Sequence, residues 1–305
     1  MAPSVLGLTA SENDPGERSA MPDPDQKFGF SEDDLRSQPT VYRDDLFAGQ
    51  TVLVSGAGSG LGKAIATLFA RLGATLVVCG RNEDKITQAA DFFRSFGATV
   101  EHQAMSIRDP EQVAALIDFA WDKTGRLDVL VNNAGGQFPQ PAIDYSTKGW
   151  NAVIDTNLNG SWYMMQAAAR RWRDDGAPGS IVNIVADIWR GLPGIAHTAA
   201  ARAGVIYLSK SVAVEWAPLK IRVNCVAPGC CETEGFGVYP EEGAATYKES
   251  NPMRRHGDAH DIAEACVYLA ASSGKFLTGE VVTVDGGQQM WGDPWPTGRP
   301  DYFKL

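Results

Sequence analysis

The chain has 305 residues, 44% of them hydrophobic, with 27 Lys and Arg against 37 Asp and Glu for a net charge of −10. That length and apolar content suit one large α/β domain with a substantial core. The acidic balance argues against nucleic acid, or an anionic membrane surface, as a main partner. No apolar run approaches the roughly 20 residues of a membrane span, and the N-terminus lacks the basic-then-apolar pattern of a secretory signal. The five cysteines, Cys79, Cys225, Cys230, Cys231 and Cys266, fall mostly in apolar runs, which fits a reduced, cytoplasmic compartment.

Residues 1–40, rich in Pro, Ser, Asp and Glu, read as a mobile arm. The domain is expected over 41–288, with a tail at 289–305 whose Trp291, Trp295, Tyr302 and Phe303 suggest docking on the body or a neighbouring subunit. Val52, Leu53 and Val54 form a short apolar run typical of a strand buried on both faces. Gly56, Gly60 and Gly62 follow, and Lys63–Leu72 reads as a helix. A strand, a glycine turn and a helix bring backbone N–H groups against a phosphate at a helix N-terminus. Alone, the same pattern is also an ordinary tight turn.

Strands and helices then alternate. Strands are expected at 75–79, 99–105, 127–131, 180–185, 222–226 and 281–284. Helices are expected at 83–96, 110–124, 149–173 (interrupted near Gly160), 199–217 and 258–271. That alternation predicts a single-domain, Rossmann-like, doubly wound parallel sheet with helices on both faces. Its ligand should lie beyond the carboxyl ends of the strands, in the loops at 55–62, 79–82, 132–140, 186–198 and 227–240. The long stretch Cys230–Tyr247 reads as a lid.

The second strand ends Cys79-Gly80-Arg81-Asn82, where an acidic residue would bond the ribose hydroxyls of NAD. A guanidinium there can clamp a 2′-phosphate instead, so NADP(H) is expected ahead of NAD(H). His256-x-x-x-His260 has metal-like spacing but falls at a linker and helix start, and Cys230-Cys231 lacks partners, so no metal is assigned.

These motifs resemble the short-chain dehydrogenase/reductase family over about Leu46–Gln288. Ser55-Gly56-x-x-x-Gly60-x-Gly62 matches its glycine loop, with Ser59 and Leu61 inside it. Asn132-Asn133-Ala134-Gly135 matches N-N-A-G, Asn157 the helix asparagine, and Pro228-Gly229 with Thr233 the P-G-x-x-x-T segment. Val284-Asp285-Gly286-Gly287 matches the family's V-D-G-G. The resemblance implies that these loops hold a dinucleotide; Ser106 stands where an adenine-binding Asp is usual. It also implies a homotetramer built on the helices at 149–173 and 199–217.

One departure bears on the chemistry. Most of the family moves a proton with Ser, Tyr and Lys, the last two spaced Y-x-x-x-K. Here Thr198 and Arg202 take the Tyr and Lys positions, and Val185 or Ala186 the Ser position. A branch that also lacks Y-x-x-x-K, the peroxisomal trans-2-enoyl-CoA and 2,4-dienoyl-CoA reductases, is similar to this chain at 132–138, 146–150, 156–164, 197–205 and 215–216. That likeness implies hydride delivery to the β-carbon of an α,β-unsaturated thioester, with a hydroxyl or amide holding the thioester oxygen. It aligns Gln137 with the substrate-orienting amide, Thr198 with a Ser and Arg202 with the cofactor-binding Lys. It also puts Asp187 where the acid is a Tyr. Asp187 can donate a proton only if its pKa is raised; Tyr145, Tyr163 and Tyr207 are alternative phenols, and His197 an acid at the site mouth. Two other readings remain at this point: an alcohol or ketone oxidoreductase using His197 or Asp187, and a non-catalytic NADP(H)-binding subunit.

Overall fold

In the computed structural model of the protein, residues 28–238 and 246–291 are described. Within them the strands are β1 (Thr51–Ser55), β2 (Thr75–Gly80), β3 (Val100–Ala104), β4 (Val129–Asn132), β5 (Gly179–Ile184), β6 (Ile221–Pro228) and β7 (Val281–Val284). They form one parallel sheet in the order β3-β2-β1-β4-β5-β6-β7. The chain winds outward from β1 to β3, then returns to lay β4 on the other side of β1. That reversal opens a crevice at the carboxyl ends of β1 and β4.

The helices are α1 (Glu32–Ser37), α2 (Gly60–Arg71), α3 (Glu83–Ser95), α4 (Pro110–Thr124), α5 (Thr147–Ile154), α6 (Ser161–Asp175), α7 (Ala196–Trp216) and α8 (Ala259–Ala270). Residues alternate faces along a strand, so β1 feeds two cores. Val52 and Val54 pack with Ile65, Phe69, Phe93 and Ile262 of α2, α3 and α8. Leu53 packs on the opposite face with Leu116, Met164, Trp172 and Val212 of α4, α6 and α7. Burial of both faces is why the strands read as continuous apolar runs.

The helix starts carry their signals. Asn82 caps α3 through its side-chain oxygen on the Lys85 N–H at 2.9 Å. Asp109 caps α4 with Pro110 at its first position, and Gly125 ends that helix at φ 75°. The interruption expected near Gly160 is a π-helical turn at Asp155–Gly160 joining α5 to α6. Such a turn inserts an extra residue per coil and re-aims side chains.

Two expectations are corrected. The stretch read as a mobile arm contains α1, closed by a reciprocal Ser31–Asp34 capping box, with Leu35 buried against α2; residues 1–27 lie outside the described part. Helix α7 begins at Ala196 rather than 199, which moves His197 and Thr198 from a loop into its first turn.

One hydroxyl ties β1 to the loop after β4. The Ser55 Oγ accepts hydrogen bonds from the Asn133 and Ala134 backbone N–H groups, both at 3.1 Å. Ser55→Ala strands these two donors and should lower stability by about 1–3 kcal/mol, read as a lower denaturant midpoint at unchanged slope.

Candidate active site

The crevice is a cavity of about 960 Å³ running from the glycine turn to the first turn of α7. At its phosphate end the backbones of two loops nearly touch. Gly56 has φ 70°, and a Cβ on it would sit 2.9 Å from the Ala134 Cα. A Cβ on Gly62 would overlap the Gly56 carbonyl oxygen and the Asn133 amide. The Asn133 Nδ2 donates to the carbonyls of Ser55 and Gly56, both at 3.1 Å. The glycines therefore let the turn close on Asn133 and leave its backbone open toward the cavity.

Most of the expected cofactor residues meet there: Gly56, Ser59, Leu61, Arg81, Asn82, Ser106, Asn133, Ala134, Gly135, Pro228, Gly229 and Thr233 line the cavity, as does Arg202. Ser55, Gly60 and Gly62 do not; they shape the turn behind the lining. Missed by sequence reasoning were Lys85 and Arg108. Lys85 lies four residues beyond Arg81, in the first turn of α3, a spacing that could have flagged it. Arg108 is held by the Thr156 hydroxyl through Nε and by the Ala152 carbonyl through Nη2 at 2.7 Å. Among the described lining residues the charged groups are Arg81, Lys85, Arg108, Arg202 and a single carboxylate, Asp187. A cationic cavity in an acidic chain suits a polyanionic ligand.

The other end gathers Gln137, Asp187, Thr198 and Arg202 around one space. Asn157, expected to act in the site, is fully buried beneath it and does not line the cavity. Its Oδ1 accepts from the Gly136 N–H at 2.9 Å, and its Nδ2 donates to the Gly136 carbonyl at 2.9 Å and the Thr198 Oγ1 at 3.0 Å. Asn157 thus positions others. Because the Thr198 oxygen already accepts a bond, its proton is free to point at a ligand. Thr198 and Arg202, four residues apart, share one face of α7.

Arg202 is buried, and its Nη1 donates to the Ile184 carbonyl at 2.8 Å. A Cβ on Gly135 would overlap its other terminal nitrogen, so that glycine makes room for the guanidinium. Burial pushes the Arg202 pKa down to about 10, which still leaves it charged at neutral pH. Asp187 is also buried, with its N–H on the Pro228 carbonyl at 2.9 Å. Burial first, and then the Asp285 charge, raise its pKa above its ordinary value. The Trp189 N–H and Arg190 oppose that rise.

His197 does not stand at the site mouth. It is fully buried outside the cavity lining, stacked on Tyr145 at 4.5 Å and edge-on to Phe138 at 4.5 Å. Its Nδ1 accepts the Thr198 N–H at 2.8 Å, and burial lowers its pKa. It wedges the start of α7 into place. None of the candidate phenols lines the cavity: Tyr145 donates to the Gly194 carbonyl at 3.2 Å and accepts from the Ala196 N–H at 3.0 Å, Tyr163 packs in the core, and Tyr207 is exposed. Tyr247 does line it, edge-on to Phe236 at 5.4 Å. The expected lid is in part packed structure: Cys231 bridges to Gly257, and Phe236 is buried. Residues 239–245 lie outside the described part, as do the tail aromatics beyond Trp291. Trp291 itself lies under the Arg254 guanidinium at 5.6 Å.

The histidines with metal-like spacing have other partners. His256 Nδ1 lies 3.2 Å from Glu232 Oε2, and His260 Nε2 lies 2.9 Å from the Pro39 carbonyl. No helix of the described residues is long and apolar enough to cross a membrane.

Comparison with known proteins agrees with this geometry. A family model described as Enoyl-(Acyl carrier protein) reductase matches residues 56–289. A Bacillus subtilis protein named probable 2,4-dienoyl-CoA reductase is 36% identical over 252 residues, covering 81% of this chain and 98% of its own. The peroxisomal 2,4-dienoyl-CoA reductase of Danio rerio is 35% identical over 272 residues, covering 87% and 88%. The structure of a citronellol catabolism dehydrogenase from Pseudomonas aeruginosa PAO1 superimposes with a TM-score of 0.74 at 35% identity, covering 82% of this chain and 99% of that one. The chain belongs to the short-chain dehydrogenase/reductase family, in its dienoyl-CoA reductase branch, and is an NAD(P)-dependent, enoyl-CoA reductase-like oxidoreductase.

Proposed function

We propose that this protein uses NADPH to saturate a C=C bond of an enoyl or dienoyl thioester. The observation that carries the reading is the cluster at the far end of the cavity, where Thr198 and Arg202 of α7 offer hydrogen-bond donors and no phenol of that helix lines the cavity. Donors without a titrating phenol suit polarising an acyl oxygen better than protonating an alkoxide. The relatives named dienoyl-CoA reductases support the same substrate class.

Residues of the glycine turn, Arg81 and Thr233 would hold the dinucleotide, which when bound would supply a hydride for the β-carbon. The chain's own work is on the remaining charge. Thr198 donates its free proton to the thioester oxygen, and the buried Arg202 guanidinium offsets the enolate charge that develops there. Gln137 orients the acyl group. Asp187, its pKa raised by burial, gives the proton that completes the reaction at carbon. Asn157 and Gly136 hold Thr198 in register throughout.

NADPH is the preferred donor in this reading because Arg81 and Lys85 line the cavity just after β2, with no carboxylate among them to repel a 2′-phosphate. A panel of 2-enoyl- and 2,4-dienoyl-CoA esters should consume NADPH faster than NADH at equal concentration. Arg81→Glu should raise the KM for NADPH at least tenfold while leaving that for NADH nearly unchanged. Absence of NADPH oxidation with every ester would refute the thioester assignment, and an unaltered NADPH preference in the variant would refute the role of Arg81.

Asp187 must be protonated to donate, so kcat/KM should fall as pH rises through its pKa, which burial raises from its ordinary value. Asp187→Asn should abolish that falling limb and lower kcat by about 10²–10⁴. A pH profile of unchanged shape in the variant would move the acid to another group, with Tyr247 next to be replaced.

A homotetramer is proposed on the helices that flank the site. Tyr207 and Val214, 68% and 76% exposed, lie seven residues apart on one face of α7, and Trp150 of α5 is also partly exposed. Light scattering should give four times the mass of one chain, and Tyr207→Glu with Val214→Glu should reduce it; a monomeric wild-type protein rejects the assembly.

A further inference from the structure

Residues 28–37 do not trail from the domain; they lie across the rim of the cavity. Three residues of the segment 232–236 line the cavity, Thr233, Gly235 and Phe236. The side chains beside Thr233 turn away and bind backbone N–H groups from elsewhere in the chain. The Glu234 Oε2 accepts the Gly60 N–H of the glycine turn at 2.8 Å. The Glu232 Oε1 accepts the Gly29 N–H at 3.2 Å, and its Oε2 meets His256 Nδ1 at 3.2 Å.

The N-terminal strap continues the contact. Gly29 has φ 84°, and a Cβ on it would sit 3.1 Å from the Thr233 Cα, so the strap backbone lies directly on Thr233. The Phe28 ring is 5.9 Å from that of Phe236, a buried residue that also packs edge-on to Tyr247 and His256, both at 5.4 Å. At its other end the strap is fastened to the helix that opens the glycine turn. Glu32 pairs with Lys63 Nζ at 2.6 Å, and Leu35 is buried on α2. The strap therefore joins two elements that flank the cavity, the glycine-turn helix and the Thr233 segment.

We infer that residues 28–37, with Glu232, Glu234 and Phe236, form a clamp that holds Thr233 in the cofactor cavity and slows release of the bound dinucleotide. This rests on the reading that a nicotinamide dinucleotide occupies the cavity. The clamp is a positioning device, and none of its side chains needs to touch the reacting atoms. A single exposed ion pair such as Glu32–Lys63 contributes little. The hold comes from the buried Phe236 nest and from carboxylates on backbone N–H groups, where a charged acceptor strengthens the bond.

Charge makes the inference easy to separate from its rivals. A carboxylate that merely stood near the cofactor phosphates would repel them, and removing it would tighten binding. A clamp predicts the opposite sign. Full-length wild type and the variants Glu234→Ala, Glu234→Gln and Phe28→Ala would be compared for NADPH dissociation by stopped-flow fluorescence and for Kd by titration. Glu234→Ala and Phe28→Ala should each raise the dissociation rate about tenfold, with Kd rising in step, since affinity differences of this kind reside mainly in koff. Glu234→Gln keeps an oxygen for the Gly60 N–H and should stay within about twofold of wild type. The melting temperature of the Glu234 variants without cofactor should not move, because that side chain is exposed. Tighter NADPH binding in both Glu234 variants, or dissociation rates unchanged in Glu234→Ala and Phe28→Ala, would overturn the clamp. Wild type that binds neither NADPH nor NADH would overturn the dinucleotide reading with it, so the two failures are distinct.

Discussion

The close approach of the glycine turn to the Asn133–Ala134 backbone is the constraint on which the rest of the site depends. It is possible only because Gly56 and Gly62 lack a Cβ where one would meet the Ala134 Cα or the Gly56 carbonyl. Once the two loops touch, Ser55 and Asn133 satisfy their buried polar groups by four hydrogen bonds across the gap. That seam fixes the end of β4 relative to α2. Gly135, Gly136 and Gln137 follow within a few residues, so the seam also sets where Asn157 can seize Gly136. Through Asn157 it sets the rotamer of Thr198, about sixty-five residues beyond the loop that started the chain of contacts.

The sheet was legible because its central strands, β1, β2 and β4, are buried and appear as nearly unbroken apolar runs, and because the helix starts carry Asn82, Asp109-Pro110 and Asp258 at their caps. The cofactor loops were legible because glycine has few substitutes where a side chain would collide. What escaped was decided by contacts distant in sequence. Nothing local places the start of α7 at Ala196: the preceding segment holds Gly191 and Gly194, and the extra turn is held by His197 wedged between Phe138 and Tyr145. The segment 28–37 has one buried apolar side chain and acidic neighbours, a composition that reads as an arm; its docking depends on Glu232, 203 residues away from Gly29. Arg108 was invisible as a site residue because a cation on a loop has no sequence mark of the face it takes, whereas Lys85 was marked only by its spacing from Arg81.

Electrostatics divides the molecule in a way that composition conceals. The chain is acidic overall, yet its cavity is lined by Arg81, Lys85, Arg108 and Arg202 with Asp187 as the single carboxylate among the described residues. Charges on the outer surface are screened within about 8–10 Å at physiological ionic strength, so the local set governs what enters. Burial gives two of these groups distinct behaviour. Arg202 loses some basicity but keeps its charge, and Asp187 loses acidity, both for the same reason, the cost of holding a charge away from water.

That common cause bears on the replacement of the family's tyrosine and lysine. A phenol needs a neighbouring cation to lower its pKa before it can relay protons near neutrality. The part of α7 that lines the cavity carries Thr198 and Arg202 and no phenol. Under the proposed function Arg202 acts as a fixed positive field beneath the acyl oxygen, to which a guanidinium is suited because it stays charged when buried. Under the proposed function the proton comes from Asp187, in the loop after β5, whose acidity burial weakens. In that proposed reaction the two roles are separated in space: stabilisation of negative charge lies on α7, and proton supply on the loop after β5. Such a division favours reactions in which charge rests on an oxygen while the proton goes to carbon, which is the order of events in reducing a conjugated thioester.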